Sequence, residues 1–354
     1  MAFRWNSIDN EASCAHTECG SQIMAIIKRL VALVALSLSL DLVSAQACWK
    51  NTTCSGPLEA AFPGPWDANI YAPSSRQVSP KSVLSATTGA VLSNFSGSIG
   101  LSGNGSKYTL DFGKEVGGLV TLKYTSSGPG AIGLAFTEAK DYIGEWSDSS
   151  NGGFKGPDGA IYANFTSAGA GTYTMPDLSL RGGFRYLTLF LITDGATNVN
   201  ISSIVLEIGF QPTWSNLQAY QGYFHSSDEM LNKIWYSGAY TLQTNAVPVN
   251  TGRQIPTVKV GWANNGTMGP GDTIIVDGAK RDRAVWPGDM GIAVPSTFIS
   301  IGDLVSVKNA LQVMYNYQVC QYLVDIFVPA QCWKPFFYKL TFHLETASST
   351  EDPG

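Results

Sequence analysis

The chain has 354 residues, 44% of them hydrophobic and 11% aromatic, with 37 glycines and only 14% charged residues, against roughly 25% charged in an average globular domain. Its formal net charge is -5, and its densest group of Lys and Arg is interleaved with acids. No basic stripe is available for phosphates, so nucleic acid is excluded as a partner, and the profile is that of a β-rich secreted protein.

In chain order, the polar segment 1–23 stands in front of a typical export signal. Met24-Ala-Ile-Ile-Lys-Arg29 is a short positive start, Leu30 to Leu40 an apolar run, and Val43-Ser-Ala45 and Ala45-Gln-Ala47 are small-residue cleavage sites. Residues 24–47 are therefore read as a signal peptide, and 1–23 as a mis-predicted N-terminal extension ahead of the true start at Met24. The apolar run is shorter than the ~20 residues of a membrane span. The expectation is a secreted, extracellular protein with no membrane attachment after cleavage.

Residues 48–65 form a linker in which Cys48 and Cys54 are expected to close a small disulfide loop. Cys14 and Cys19 precede the signal, and Cys320 and Cys332 lie near the C-terminal end. Asn-X-Ser/Thr sequons at Asn51, Asn94, Asn104, Asn164, Asn200 and Asn265 mark expected glycosylation sites. No Cys/His spacing suggests zinc, and neither a metal nor a cofactor is expected.

Residues 66–213 alternate with a period of two and are broken by Gly, Ser and Asn. Lys107–Phe112, Gly118–Tyr124, Ala131–Phe136, Phe184–Phe190 and Ile201–Ile208 read as strands of a β-sandwich, jelly-roll-like. After Pro212-Thr-Trp214 the period changes. From His225, Ser and Asp offer capping groups, and Met230, Leu231, Ile234, Trp235 and Leu242 follow at helical spacing, which predicts a helix burying that face. His225 itself reads as a capping or core residue. Thr257–Gly261 and Thr273–Val276 read as short strands, and Met290–Ile301 and Leu304–Tyr317 as helices despite Pro295.

Between the second short strand and the next helix lies the most chemically loaded segment, Asp277-Gly-Ala-Lys-Arg-Asp-Arg-Ala-Val-Trp-Pro-Gly-Asp289. Carboxylates beside guanidinium groups and a large aromatic face suit holding a sugar ring and protonating its glycosidic oxygen. A solvated charged loop has the same composition. A strand, a charged loop and a helix in that order place reactive groups at a rim.

Three stretches, Leu110-Asp-Phe-Gly-Lys-Glu-Val-Gly-Gly118, Phe224 to Trp235 and above all Asp277 to Asp289, make the chain from Trp66 to about Gln318 resemble the alpha-L-rhamnosidases of glycoside hydrolase family 78. The resemblance implies a multidomain β + α protein, with an N-terminal β-sandwich followed by an (α/α)6 six-hairpin barrel whose start would occupy 214–318. It implies removal of terminal alpha-L-rhamnose with inversion, from rhamnose-containing glycosides or polysaccharides, without a metal. Asp282 falls at the general acid, where many relatives have glutamate. Asp277 and Asp289 match carboxylates that bind rhamnose hydroxyls, and a role for Asp277 as the proton donor stays open. Trp286 would pack on the apolar face of the deoxy sugar. Arg281 and Arg283 flank the acid, and a cation against it would oppose proton donation. At least one arginine is therefore expected to point away, with Arg281 counted among the substrate-binding residues.

An inverting enzyme also needs a base ~6.5 to 9.5 Å from its acid. The resemblance places that base as a glutamate a few hundred residues further on, whereas this sequence ends at Gly354. The segment 319–354 breaks the helical pattern and reads as an aberrant tail, as from a read-through intron. The expectation is thus a truncated rhamnosidase, inactive as written. The alternative is a secreted carbohydrate-binding protein without hydrolysis.

Overall fold

The computed structural model describes residues 48–50, 52–150, 156–253 and 261–316. The expected extension, signal peptide and tail lie outside them, as do Asn51, the strand expected to start at Thr257, and the four cysteines other than Cys48 and Cys54.

Ten strands come first: β1 (Gln77–Val78), β2 (Ser82–Leu84), β3 (Val91–Asn94), β4 (Ile99–Ser102), β5 (Lys107–Ser126), β6 (Gly130–Thr137), β7 (Ile161–Phe165), β8 (Gly169–Thr174), β9 (Arg181–Ile192) and β10 (Asn198–Ile208). Helix α1 (Glu229–Thr244), strands β11 (Ala246–Pro248) and β12 (Thr273–Ile275), and helices α2 (Pro287–Ile299) and α3 (Leu304–Asn316) follow.

The two strands expected at 107–112 and 118–124 are one continuous strand, β5, and it organises the sheet. Its first half pairs with β2 and β9, its second half with β10 and β8, all antiparallel. The register with β9 shifts between Asp111 and Val116 and again before Gly118, and such bulges bend a strand. One ten-stranded sheet thereby curls around its own core instead of forming two separate sheets. At the bend Gly118 has φ +153°, and a Cβ there would lie 1.8 Å from the Glu207 carbonyl oxygen. The motif Leu110–Gly118 is this corner.

Leu110, Val120, Leu122, Ile132, Leu134, Phe136, Leu187, Leu189, Ile204 and Leu206 fill the curl. Tyr236, Ala239 and Tyr240 of α1 belong to the same core. The Asp228 carboxylate caps α1, accepting from the backbone N–H groups of Met230 at 2.8 Å and Leu231 at 3.4 Å. The face that α1 buries is only partly the expected one: Trp235 and Leu242 pack half-buried against the core, but the other three do not. Met230, Leu231 and Ile234 are exposed, and Asn232, Tyr236, Ala239, Tyr240 and Gln243 turn inward. Three of these inward polar groups have partners that explain the choice, while the buried Tyr236 hydroxyl meets none among the described residues. Asn232 holds Ser226, Gln243 donates to the Leu217 carbonyl and accepts from Tyr220, and Tyr240 donates to the Glu115 carbonyl. His225 neither caps nor enters the core; it is exposed, 5.9 Å from the Trp66 ring.

A second, smaller core joins Val247, Val249, Ile274, Ile275, Val276, Met290, Val307 and Ala310 between the β11–β12 pair and helices α2 and α3. Pro287 opens α2, and Pro295 is accommodated inside it. Asp303 caps α3 and also accepts from Gln211 at 2.6 Å, tying α3 to the exit of β10. Ile292, Phe298, Ile299, Leu311 and Tyr315 remain exposed on α2 and α3.

Cys48 and Cys54 are bonded. Among the described residues no helix is long and apolar enough to cross a membrane. The sequon asparagines Asn94, Asn104, Asn164, Asn200 and Asn265 are all exposed.

Candidate sugar-binding site

Strand β12 ends at Ile275 and α2 begins at Pro287, so the loop between them carries the acidic segment at the rim of the second core. The loop closes on itself: Asp277 N–H donates to the Ala284 carbonyl at 3.0 Å, and Ala284 N–H returns to Asp277 Oδ1 at 2.9 Å. These two bonds hold the residues between them as one turn.

Arg283 anchors the turn. It is 1% exposed, donating from Nε to the Thr251 carbonyl, from Nη1 to the Ala279 carbonyl and from Nη2 to Thr251 Oγ1. The acceptors are neutral oxygens, and burial, with Arg253 nearby, pushes the guanidinium pKa down. Drawing Arg283 inward leaves Asp282 and Arg283 with φ of +60° and +46°. Non-glycine residues in this left-handed region persist only where their surroundings hold them. The consequence is positional: Arg283 turns into the body, and Asp282 is left at the half-buried surface of the turn. Arg281 is exposed, with Nε 4.0 Å from Asp282 Oδ1.

The three aspartates lie near enough for their charges to act on one another. Burial pushes the Asp277 carboxyl up to about 6; the Ala284 and Gly278 N–H groups oppose this, and the charges of Asp282 and Asp289 add to it. Asp289 lies exposed in the first turn of α2, where a helix N-terminus favours an anion. Trp286 is the residue before α2. It is half-buried, and its buried indole N–H meets no acceptor among the described residues.

The loop rests on the curled sheet. Gly182 of β9 lies so close that a Cβ there would be 1.6 Å from the Ala279 carbonyl oxygen. Lys280, between Ala279 and Arg281, reaches Glu138 Oε1 and Asp148 Oδ2, each at 3.0 Å. Asp148 also binds Arg181, which holds the buried Asp158 at 2.7 Å. Glu115 keeps solvent contact, yet its carboxyl is pushed up to about 7 by burial and by Glu138 and Asp148, with Lys280 opposing. Sequence reasoning did not single out Glu115, Glu138, Asp148, Gly182 or Lys280. They lie far apart along the chain, and the Gly182-Gly183 pair at the start of a strand was the one local sign that another backbone approaches there.

Taken together, the loop offers a carboxyl whose pKa burial raises to about 6, two further carboxylates whose charges reach it, and an aromatic side chain. Among the described residues no group of three or more His, Cys, Asp or Glu could hold a metal ion. The arrangement can accept hydrogen bonds from hydroxyl groups and exchange a proton.

No protein-family model and no curated protein matches the chain. Solved structures similar to it include a rhamnosidase from Klebsiella oxytoca with rhamnose bound, at 18% identity over 70% of this chain and 45% of that one, TM-score 0.44. A family 78 rhamnosidase of Bacillus sp. GL1 is 19% identical over 58% of this chain and 17% of that one, TM-score 0.41. The alpha-L-rhamnosidase from Dictyoglumus thermophilum is 16% identical over 70% and 22%, TM-score 0.39. The chain thus spans less than half the length of each of these three enzymes.

Proposed function

We propose that the chain belongs to a secreted alpha-L-rhamnosidase and supplies its sugar-holding and proton-donating half. In this reading the acidic loop binds a terminal alpha-L-rhamnose through Asp277 and Asp289, with Arg281 at the edge and Trp286 against the apolar face of the ring. Asp282 protonates the leaving oxygen as the sugar gains oxocarbenium character, and inversion needs a second carboxylate to activate water. Helices α1 to α3 are the start of the six-hairpin barrel, residues 24–47 the export signal, and the exposed sequons sites of glycosylation.

One observation carries the reading. The buried Arg283 turns away from the acids and leaves Asp282 presented beside a carboxyl that stays protonated to about 6. A buried guanidinium against either group would hold it ionised; the exposed Arg281, 4.0 Å from Asp282, is a cation beside that carboxyl and so weighs towards Asp277 as donor. Asp277 remains the rival donor, because its pKa is the one raised.

Binding of L-rhamnose to the full chain, followed by ligand-observed NMR, tests the reading. Hydrogen bonds to charged groups contribute about 1.5 to 3 kcal/mol, so Asp277→Asn and Asp289→Asn are each expected to weaken binding by about tenfold or more. Asp282→Asn should weaken it by less, since Asn can still hydrogen-bond the anomeric oxygen, which in free rhamnose is a hydroxyl. Absence of rhamnose binding at tens of millimolar would sink the proposal. A tenfold loss in Asp282→Asn with none in Asp277→Asn would exchange the two roles.

A further inference from the structure

Lys280 is the loop residue whose charge is spent entirely away from the acids. Its side chain is only 11% exposed, and its ammonium lies 3.0 Å from each of two carboxylates on the far side of the contact, Glu138 at the end of β6 and Asp148 beyond it. Those two are themselves locked together, for Glu138 N–H donates to Asp148 Oδ2 at 3.0 Å and Arg181 binds the other oxygen of Asp148. Glu115 and Glu138 both lie over Gly183, next to the Gly182 on which Ala279 rests. Two acids thus hold one lysine of the loop, with the charge of Glu115 also felt there, at the point where the two backbones touch.

We propose that Lys280 is a positioning residue, which pins the acidic loop to the curled sheet and so keeps Asp277 buried and Asp282 presented. Its importance for sugar chemistry rests on the function proposed above, but the pinning itself does not. Without Lys280 the charges of Glu115 and Glu138 would repel, with Asp148 keeping only Arg181, and the lysine that relieves them is the neighbour of Ala279, whose carbonyl is also held by Arg283. The sheet then acts on the site through one side chain, two residues from Asp282.

The test is the titration of the Asp277 carboxyl, read by its carbon-13 shift in the full chain, for wild type, Lys280→Met and Lys280→Arg. The groups bearing on Asp277 are Asp282, Asp289 and the N–H groups of Ala284 and Gly278. Loss of a distant positive charge alone would raise the Asp277 midpoint or leave it in place. Release of the loop would hydrate the carboxyl and lower it. The expected result is a fall in Lys280→Met from about 6 towards the ordinary value of 3.8, with Lys280→Arg restoring it. Glu138→Gln, which leaves Asp148 as a partner, is expected to move it the same way by less. An unchanged or raised midpoint in Lys280→Met, with the methyl spectrum of the sheet core intact, overturns the proposal. Should the midpoint fall while wild type binds no rhamnose, the positioning role stands and the sugar-binding reading fails.

Discussion

A carboxyl that is harder to ionise in the folded chain than in the unfolded one makes the folded state lose stability as pH rises. Asp277 is such a group, pushed to about 6 from 3.8. Below 3.8 both states are protonated and it contributes nothing. Between 3.8 and 6 the unfolded chain sheds the proton first, and above 6 the full penalty applies. The shift corresponds to about 3 kcal/mol, which falls to about 1 to 2 kcal/mol once solvent screening of a half-buried group is allowed for. Asp277→Asn removes a titrating site while keeping an acceptor for Ala284. The variant should therefore gain stability over wild type between about pH 4 and 6, by about 1 to 2 kcal/mol at pH 7. Urea unfolding of both proteins at a series of pH values measures the difference, and parallel curves would refute the buried, coupled placement of Asp277. The acidic residues themselves were readable from composition. What composition could not show was which cation faces them, because the side chain of Arg283 is directed by the Thr251 and Ala279 oxygens, the first of them 32 residues away in sequence.

Elements were legible to the extent that their pattern has one meaning. Strands β6, β9 and β10 and helices α2 and α3 follow directly from periodicity, since a period of two or 3.6 is local. Short strands such as β1 and β11 are too brief to show a period, and β5 looked like two strands because its bulged corner interrupts the alternation. Helix α1 is the instructive case. Periodicity tells which residues share a face, but not which face is covered. Its inward side is centred on Asn232, Tyr236, Tyr240 and Gln243, so that of the apolar stripe Met230, Leu231 and Ile234 face water and only Trp235 and Leu242 pack half-buried against the core. Ile234 is 61% exposed and Tyr236 1%. Ile234→Ser should thus change stability by no more than about 0.5 kcal/mol, whereas Tyr236→Ala should cost about 3 kcal/mol or more. Chemical denaturation of the two variants separates the assignments, and the reverse order would mean that the stripe is the buried side.

At the scale of the whole molecule, the two cores are unequal. The curled sheet and the inner face of α1 share one large apolar interior, while β11, β12, α2 and α3 close over a few side chains. Burial stabilises by about 25 cal/mol per Å² of apolar surface, so the second core has far less to offset the backbone entropy of its helices. It also leaves Ile292, Phe298, Ile299 and Tyr315 more than half exposed, which returns little to the folded state. Opening of α2 and α3 should therefore need less free energy than opening of the sheet. The acidic loop spans the two regions. Arg283 and Lys280 fasten it to residues 251 and 279 and to the sheet, while its far end continues into α2. Native-state hydrogen exchange should rank amides in three groups: β5, β9, β10 and α1 slowest, the loop amides of Asp277 and Ala284 intermediate, and α2 and α3 fastest. A hydrophobic dye should bind the folded chain through the open faces of α2 and α3, and an Ile292→Lys, Phe298→Lys pair should abolish that binding without altering exchange in the sheet. Uniform protection across all three groups would show that the two cores unfold as one, and that the small core is stabilised by something other than its own apolar contacts.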